Sequence, residues 1–117
     1  MVEVTTIVGD MRDFKFEKKY DVIISTATLH FVEKKDVEKL INEIKNYTKE
    51  SGLNVITVFT EDNPNKNFPY LFKKDELKSY YRDWDILGYK EFITPLEKHG
   101  EKGNWHRHGM ALIIARK

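Results

Sequence analysis

The sequence predicts an α/β protein with an open, mostly parallel sheet and flanking helices. Short runs rich in β-branched and apolar residues occupy positions 2–8, 21–27 and 54–60, and an amphipathic segment at 35–49 lies between the second and third runs. Strand and helix patterns that alternate in this way indicate parallel strands joined by helical crossovers. The length of 117 residues suits a single domain with one core.

The first two runs predict strands of different character. Residues 2–8 are β-branched and end at Gly9-Asp10, a typical turn pair, so they predict a short strand. Residues 21–27 are almost continuously apolar, which is typical of a strand that is buried on both faces of a parallel sheet.

The segment 35–49 is the clearest helix. Its apolar residues recur three or four positions apart and therefore form one face. They are Val37, Leu40, Ile41, Ile44 and Tyr47. Gly52 lies just beyond this segment and is a candidate C-cap.

The second half of the chain predicts a third strand, a short helix and two final strands. The run 54–60 predicts a buried strand, and 72–81 predicts a short helix that is capped near Lys74-Asp75. Residues 84–92 and 106–115 each predict a strand. We expect the final two strands to pair as a hairpin with a long connection.

Composition narrows the possible function classes. Lys and Arg number 20 and Asp and Glu number 19, a net charge of +1 that gives no electrostatic footprint for nucleic acid. No apolar run has the length of about 20 residues that a membrane span needs. The chain contains no cysteine, which excludes disulfides and suits a cytoplasmic protein.

Two candidate binding segments follow the first two predicted strands. Asp10, with Asp13 nearby, comes directly after the first strand, where ligands of open α/β sheets bind. An ordinary turn with an Asx bond is the alternative for Asp10.

The second segment, 25–31, has small hydroxyl residues that would let a ligand approach the backbone, and His30 is a candidate acid or base near neutral pH. The alternative is that Thr26 and Thr28 cap the following turn while His30 packs beside Phe31.

A histidine cluster near the carboxyl terminus is the third candidate. Three of the four histidines, His99, His106 and His108, lie within ten residues. In an extended segment His106 and His108 project from the same face. Polar groups of a substrate pocket, a three-histidine metal site and partly exposed strand residues are three alternatives for this cluster. A substrate pocket is favoured over a metal site, because a metal site also needs a fourth ligand or an open water position and acceptors that orient the imidazoles, which a sequence does not show.

These segments together resemble the middle and end of class I S-adenosylmethionine-dependent methyltransferases, in the tellurite-resistance (TehB-like) branch. The resemblance is carried by the runs 9–14, 20–26, 29–31, 72–77, 84–86 and 106–117. It covers essentially the whole chain but only the carboxyl-terminal part of the family's domain. It therefore implies an incomplete Rossmann-like fold that lacks the first strands, within a single partial domain over residues 1–117.

The resemblance implies roles for eight residues around S-adenosylmethionine and a small-molecule methyl acceptor. On the cofactor side it places Asp10 with Met11 at the adenine, and Ser25, Thr26 and His30 along the methionine portion. On the acceptor side it places the catalytic candidates His99, His106 and His108. The chain has Trp105 where the tellurite branch carries a basic residue, which argues against an oxyanion substrate.

Two parts of the family's cofactor site have no counterpart in the sequence: the glycine-rich turn after the first strand and the acidic residue that ends the second. The residues 21–27 would then form an unpaired sheet edge, which is an aggregation hazard. We expect residues 2–8, or a second copy in a homodimer, to pair with them. The functional alternatives are a methyltransferase-like protein, truncated and inactive alone; a non-catalytic remnant or interaction module that assembles with another chain; and, less favoured, a histidine-metal protein.

Overall fold

A computed structural model describes residues 3–98 and 105–117. Its elements follow in chain order. They are β1 (Tyr20–Thr26), a 3-10 turn (Leu29–Phe31), α1 (Lys34–Asn46), β2 (Thr48–Phe59), α2 (Glu76–Ser79), β3 (Asp85–Ile93), β4 (Glu97–Lys98), β5 (Trp105–His106) and β6 (Gly109–Arg116).

The main sheet has four strands in the order β1-β2-β6-β3. Strands β1 and β2 are parallel and are joined through α1, so the predicted crossover is confirmed. Strand β6 is antiparallel to both β2 and β3, and the predicted pairing of the final two strands is confirmed. The α/β fold class is therefore confirmed. The sheet is mixed and not mostly parallel as expected, because one of its three strand pairs among the described residues is parallel and β6 runs against both of its neighbours. Strands β4 and β5 form a separate two-stranded ribbon.

The predicted strand at 2–8 is wrong for the residues that the structure describes. Residues 3–8 have no regular structure and are exposed, with the Val8 side chain fully accessible. They do not pair with β1. Phe16, in the segment between them and β1, packs on the end of α1: the rings of Phe16 and Tyr47 stack with centroids 5.2 Å apart. Among the described residues, β1 pairs only with β2, so its outer edge is open.

Strand β1 is also more exposed than its apolar sequence predicts. Val22 and Ile24 keep 47% and 63% of their surface accessible. An apolar run of this kind is buried when sheet neighbours and helices cover it, and here the covering elements lie on one side only. The prediction of burial on both faces is therefore wrong within this chain.

Gly52 is not the helix C-cap. Helix α1 ends at Asn46, and the Tyr47 N–H closes it on the carbonyls of Glu43 and Lys45. Gly52 lies inside β2, where an added Cβ would come within 2.7 Å of the Asp21 carbonyl oxygen. The glycine is required by the close approach of β1 and β2 at the point where their register shifts.

The predicted helix at 72–81 is shorter than expected. Phe72 lies in a parallel bridge with Thr60, and its N–H donates to the Phe59 carbonyl, so it continues the sheet. Asp75 then takes a left-handed backbone conformation with φ of 60°, and α2 begins after it.

The core lies between α1, α2 and one face of the sheet. Its fully buried members include Ile41, Ile56, Ile113, Phe72 and Tyr81. The interior also contains a chain of hydrogen-bonded polar side chains.

A chain of hydrogen bonds crosses the core from Tyr81, just after α2, to α1. The Tyr81 hydroxyl donates to Asn54 Oδ1 (2.8 Å), and Asn54 Nδ2 donates to Thr48 Oγ1 (2.7 Å). The Thr48 hydroxyl in turn donates to the Ile44 carbonyl in the last turn of α1 (2.7 Å). Asn54, Thr48 and Tyr81 are all completely buried, so each polar atom depends on the next.

Candidate functional site

An apolar cleft of about 660 Å³ lies beside the carboxyl end of β1. The segment 7–17 forms one wall, and β1, the residues after it and α1 form the other. Asp10, Met11 and Ser25, three of the residues predicted to bind cofactor, line this cleft together, whereas Thr26 and His30 do not. Volumes of about 300–1,000 Å³ are usual for small-molecule sites.

Asp10 occupies an exposed turn at the cleft wall. Its carboxylate accepts a hydrogen bond from the Arg12 backbone N–H (2.9 Å) and another from Arg12 Nε (3.0 Å). The hydrogen bond with the Arg12 side chain, more than any other cause, lowers the pKa of Asp10 to about 2. The Asx bond expected for an ordinary turn is present, and the carboxylate remains ionised as an acceptor.

The chain reverses sharply where β1 ends. Ala27 has a φ of 49°, a left-handed conformation that costs a non-glycine residue about 1 kcal/mol or more. Its N–H donates to both the carbonyl and the hydroxyl of Thr57 at 2.9 Å, which holds it there. The reversal brings the Thr28 hydroxyl within 2.7 Å of the Ser25 hydroxyl, and both side chains line the cleft.

His30 lies in the 3-10 turn after β1 and is completely buried. Its ring stacks on Phe59, with centroids 3.9 Å apart and an interplanar angle of 6°. Neither ring nitrogen has a hydrogen-bond partner within the described ranges. Burial, followed by the nearby His108, lowers the pKa of His30 to about 4, so the imidazole is neutral at pH 7.

His108 stacks on the other face of Phe59. The ring centroids are 4.5 Å apart, which makes a three-ring column of His30, Phe59 and His108. Its Nδ1 lies 3.2 Å from Asn63 Oδ1, and the same oxygen accepts the Gly109 N–H (3.1 Å). Buried Asn63 therefore ties the loop after β2 to the start of β6.

The histidine cluster is only partly visible. His99 lies outside the described residues, and His106 is described only as backbone in β5. Of the three catalytic candidates, His108 is thus the one whose side chain is placed. Within residues 3–98 and 105–117, no group of three or more histidine, aspartate or glutamate side chains could hold a metal ion.

Sequence reasoning missed three participants in this region: Phe59, Asn63 and Phe68, whose ring centroid lies 5.1 Å from that of Phe59. Phe59 is the last residue but one of the predicted strand 54–60, and Asn63 lies in a segment with ordinary loop chemistry, so neither carries a motif. The buried state of Asn63, in a loop of polar residues, is the signal that only a structure provides.

Comparison with known proteins identifies the family. The model of the family described as "Tellurite resistance protein TehB" matches residues 1–114. The chain belongs to this family. It is 33% identical over 119 residues to a protein of Haemophilus influenzae named as a probable S-adenosyl-L-methionine-dependent methyltransferase TehB.

The crystal structure of TehB from Haemophilus influenzae superimposes with a TM-score of 0.85 at 32% identity. The match covers 99% of this chain and 42% of that one. A methyltransferase structure from Methanosarcina mazei, at 15% identity and a TM-score of 0.68, shows the shared fold alone. The chain thus spans less than half the length of the TehB relatives it matches.

None of the helices within the described ranges combines the length and apolar character needed to cross a bilayer.

Proposed function

We propose that this chain forms the adenine side and the acceptor side of an S-adenosylmethionine-dependent methyltransferase site. One observation carries the proposal: Asp10 and Met11, in the segment before β1, line a single apolar cleft together with Ser25, near the carboxyl end of β1. Ligands of open α/β sheets bind at that end of the strands. The methyl acceptor is a small molecule, and the proposed location is the cytoplasm.

The residues of the cleft fit the adenosine part of the cofactor. A flat adenine suits apolar walls, and Met11, which packs partly against the core, offers one. The ionised Asp10 carboxylate can accept a hydrogen bond from an exocyclic amine or a ribose hydroxyl, since an ionised carboxylate is a strong acceptor. The hydroxyls of Ser25 and Thr28 add polar contacts deeper in the cleft.

When bound, S-adenosylmethionine supplies a methyl group on a sulfonium sulfur. The chain's residues then orient and enclose rather than transfer protons, because in-line transfer depends mainly on proximity. Asp10 and Met11 hold the adenine end, and Ser25 with Thr28 line the path from the cleft toward the 3-10 turn. His108, on the column with Phe59, lies on the acceptor side, and we propose His99 and His106 beside it.

Isothermal titration calorimetry with S-adenosylmethionine tests the proposal. We expect a dissociation constant below about 100 μM, equivalent to about −5.5 kcal/mol. Asp10→Asn keeps the shape of the turn and removes the charge, so it should weaken binding, while Asp85→Asn on β3 serves as a matched control. No heat of binding at about 1 mM cofactor would contradict the proposal and favour a non-catalytic interaction module that assembles with another chain.

A homodimer would cover the open edge of β1. The observation that favours it is the exposed Val22 on a strand whose outer backbone groups have no partner strand among the described residues. Val22→Lys places a charge on this edge and should weaken self-association about tenfold or more. Sedimentation equilibrium measures this, with Leu87→Lys on the opposite edge as control, and a wild-type protein that stays monomeric would rule the dimer out.

A further inference from the structure

The burial of His30 is unfavourable for the stability of the fold. A completely buried imidazole whose two nitrogens both lack partners within the described ranges is unfavourable, because its water hydrogen bonds are lost without replacement. Buried polar side chains are normally paired. An unpaired polar group in a folded interior therefore needs an explanation, and a role in binding is one.

Three phenyl rings enclose this imidazole. Phe59 covers one face at 3.9 Å, and Phe31 lies 4.3 Å away between ring centroids. Phe68 stands perpendicular to both His30 and Phe59 and is nearly equidistant from them, at 5.0 and 5.1 Å. A ring in that position lies across the shared edge of the stacked pair. Phe68 therefore closes the edge of the stack.

Phe68 also faces a surface groove. Phe68 lines a groove of about 710 Å³ together with Pro69, Tyr70 and Leu71. Phe68 thus borders both this groove and the His30 ring. A change in the side-chain rotamer of Phe68 would connect the two.

The charged residues of the groove indicate which kind of ligand it would bind. Glu61 and Asp62 line it, and Lys66, its lysine, donates to the Glu61 carbonyl oxygen. Two carboxylates, together with a lysine whose ammonium group already has a hydrogen-bond acceptor, do not favour the binding of an anion. The enclosed imidazole is neutral and surrounded by phenyl rings, so a charged group beside it would lose its hydration without a counter-ion.

We propose that His30 is the binding residue for an uncharged, largely apolar methyl acceptor, which enters from the groove when Phe68 moves and donates its hydroxyl or N–H to a ring nitrogen of His30. The inference rests on the proposed function for the identity of the reaction. It adds the class of acceptor: a molecule such as a phenol, and not a tellurite-type oxyanion.

The first test measures the His30 ring nitrogens by NMR in the full chain. Phenol, neutral at pH 7, should shift them, whereas toluene, of similar shape without a hydroxyl, and sodium tellurite should not. Equal shifts with phenol and toluene, no shift with either, or a shift with tellurite would overturn the inference.

The second test is His30→Leu. This change removes a partnerless polar group from an apolar cage, so the thermal midpoint should rise or stay level while phenol binding weakens about tenfold or more. A variant that is less stable, or that binds phenol like the wild type, would show that the imidazole is simply a packing residue.

Phe68→Ala tests the ring as the barrier. Opening the cage should hydrate His30 and move its pKa upward from about 4, while Phe92→Ala, outside the cage, should leave it unchanged. An unchanged pKa in Phe68→Ala would overturn this role. Calorimetry on the wild-type protein separates the two proposals: S-adenosylmethionine that binds while phenol does not refutes the inference alone.

Discussion

Asn54→Ala is expected to lower the free energy of unfolding by about 3 kcal/mol. The substitution leaves the Tyr81 hydroxyl without its acceptor and the Thr48 oxygen without its donor, both in a completely buried environment. It also opens a small cavity between α1 and β2. Urea denaturation followed by circular dichroism measures the change.

Asn42→Ala is the matched control, because Asn42 is exposed on α1 and should change stability by less than about 0.5 kcal/mol. A double-mutant cycle measures the interaction energy between Asn54 and Tyr81. Tyr81→Phe should destabilise the wild type but recover about 1 kcal/mol in the Asn54→Ala background, since it removes the orphaned hydroxyl. The same loss in both backgrounds would show that the two side chains do not act together.

Gly109→Ala should destabilise the protein by about 2–3 kcal/mol and disturb the His108 side of the site. An added Cβ would come within 2.5 Å of the Asn63 backbone nitrogen and of the Asp62 carbonyl carbon. Both atoms belong to the backbone, so the loop after β2 must move. That movement breaks the contact of Asn63 Oδ1 with the Gly109 N–H and with His108.

Thermal denaturation and the NMR shift of the His108 ring report these two effects. Gly88→Ala is the control, because a Cβ added at Gly88 would meet nothing within 4 Å among the described residues, and this glycine also lies in a strand. A Gly109→Ala protein as stable as Gly88→Ala would contradict the close approach of β6 to the loop.

The sequence was informative where burial has a regular period. The stripe on α1 correctly predicted the buried Val37, Leu40, Ile41 and Ile44, and the pairing of the final strands was also correct. It was misleading where a tertiary contact overrides local preference. Gly52 resembles a helix cap, but it is needed because two backbones meet, and residues 3–8 have strand-forming side chains without a neighbouring strand.

The candidate site was predictable only in part, because the sequence indicates where strands end but not which distant side chains meet. Asp10 and Ser25 follow predicted strands, so the topology of an open sheet suggests that they approach one another. The column of His30, Phe59 and His108 joins three distant segments, and no spacing in the sequence indicates it. The resemblance around His30 predicted a contact with the cofactor, and this contact remains a prediction. In the structure the His30 ring lies among Phe31, Phe59 and Phe68 and does not line the cleft.

The measurement that tests the cofactor cleft most directly is amide chemical-shift mapping during a titration with S-adenosylhomocysteine. We predict that the largest shifts fall on Asp10, Met11, Ser25 and Thr28, and that Asp75 and Lys90, in a separate groove beside β3, stay unchanged. Saturable binding whose shifts fall on the β3 groove, or on no residue of the cleft, would contradict the account.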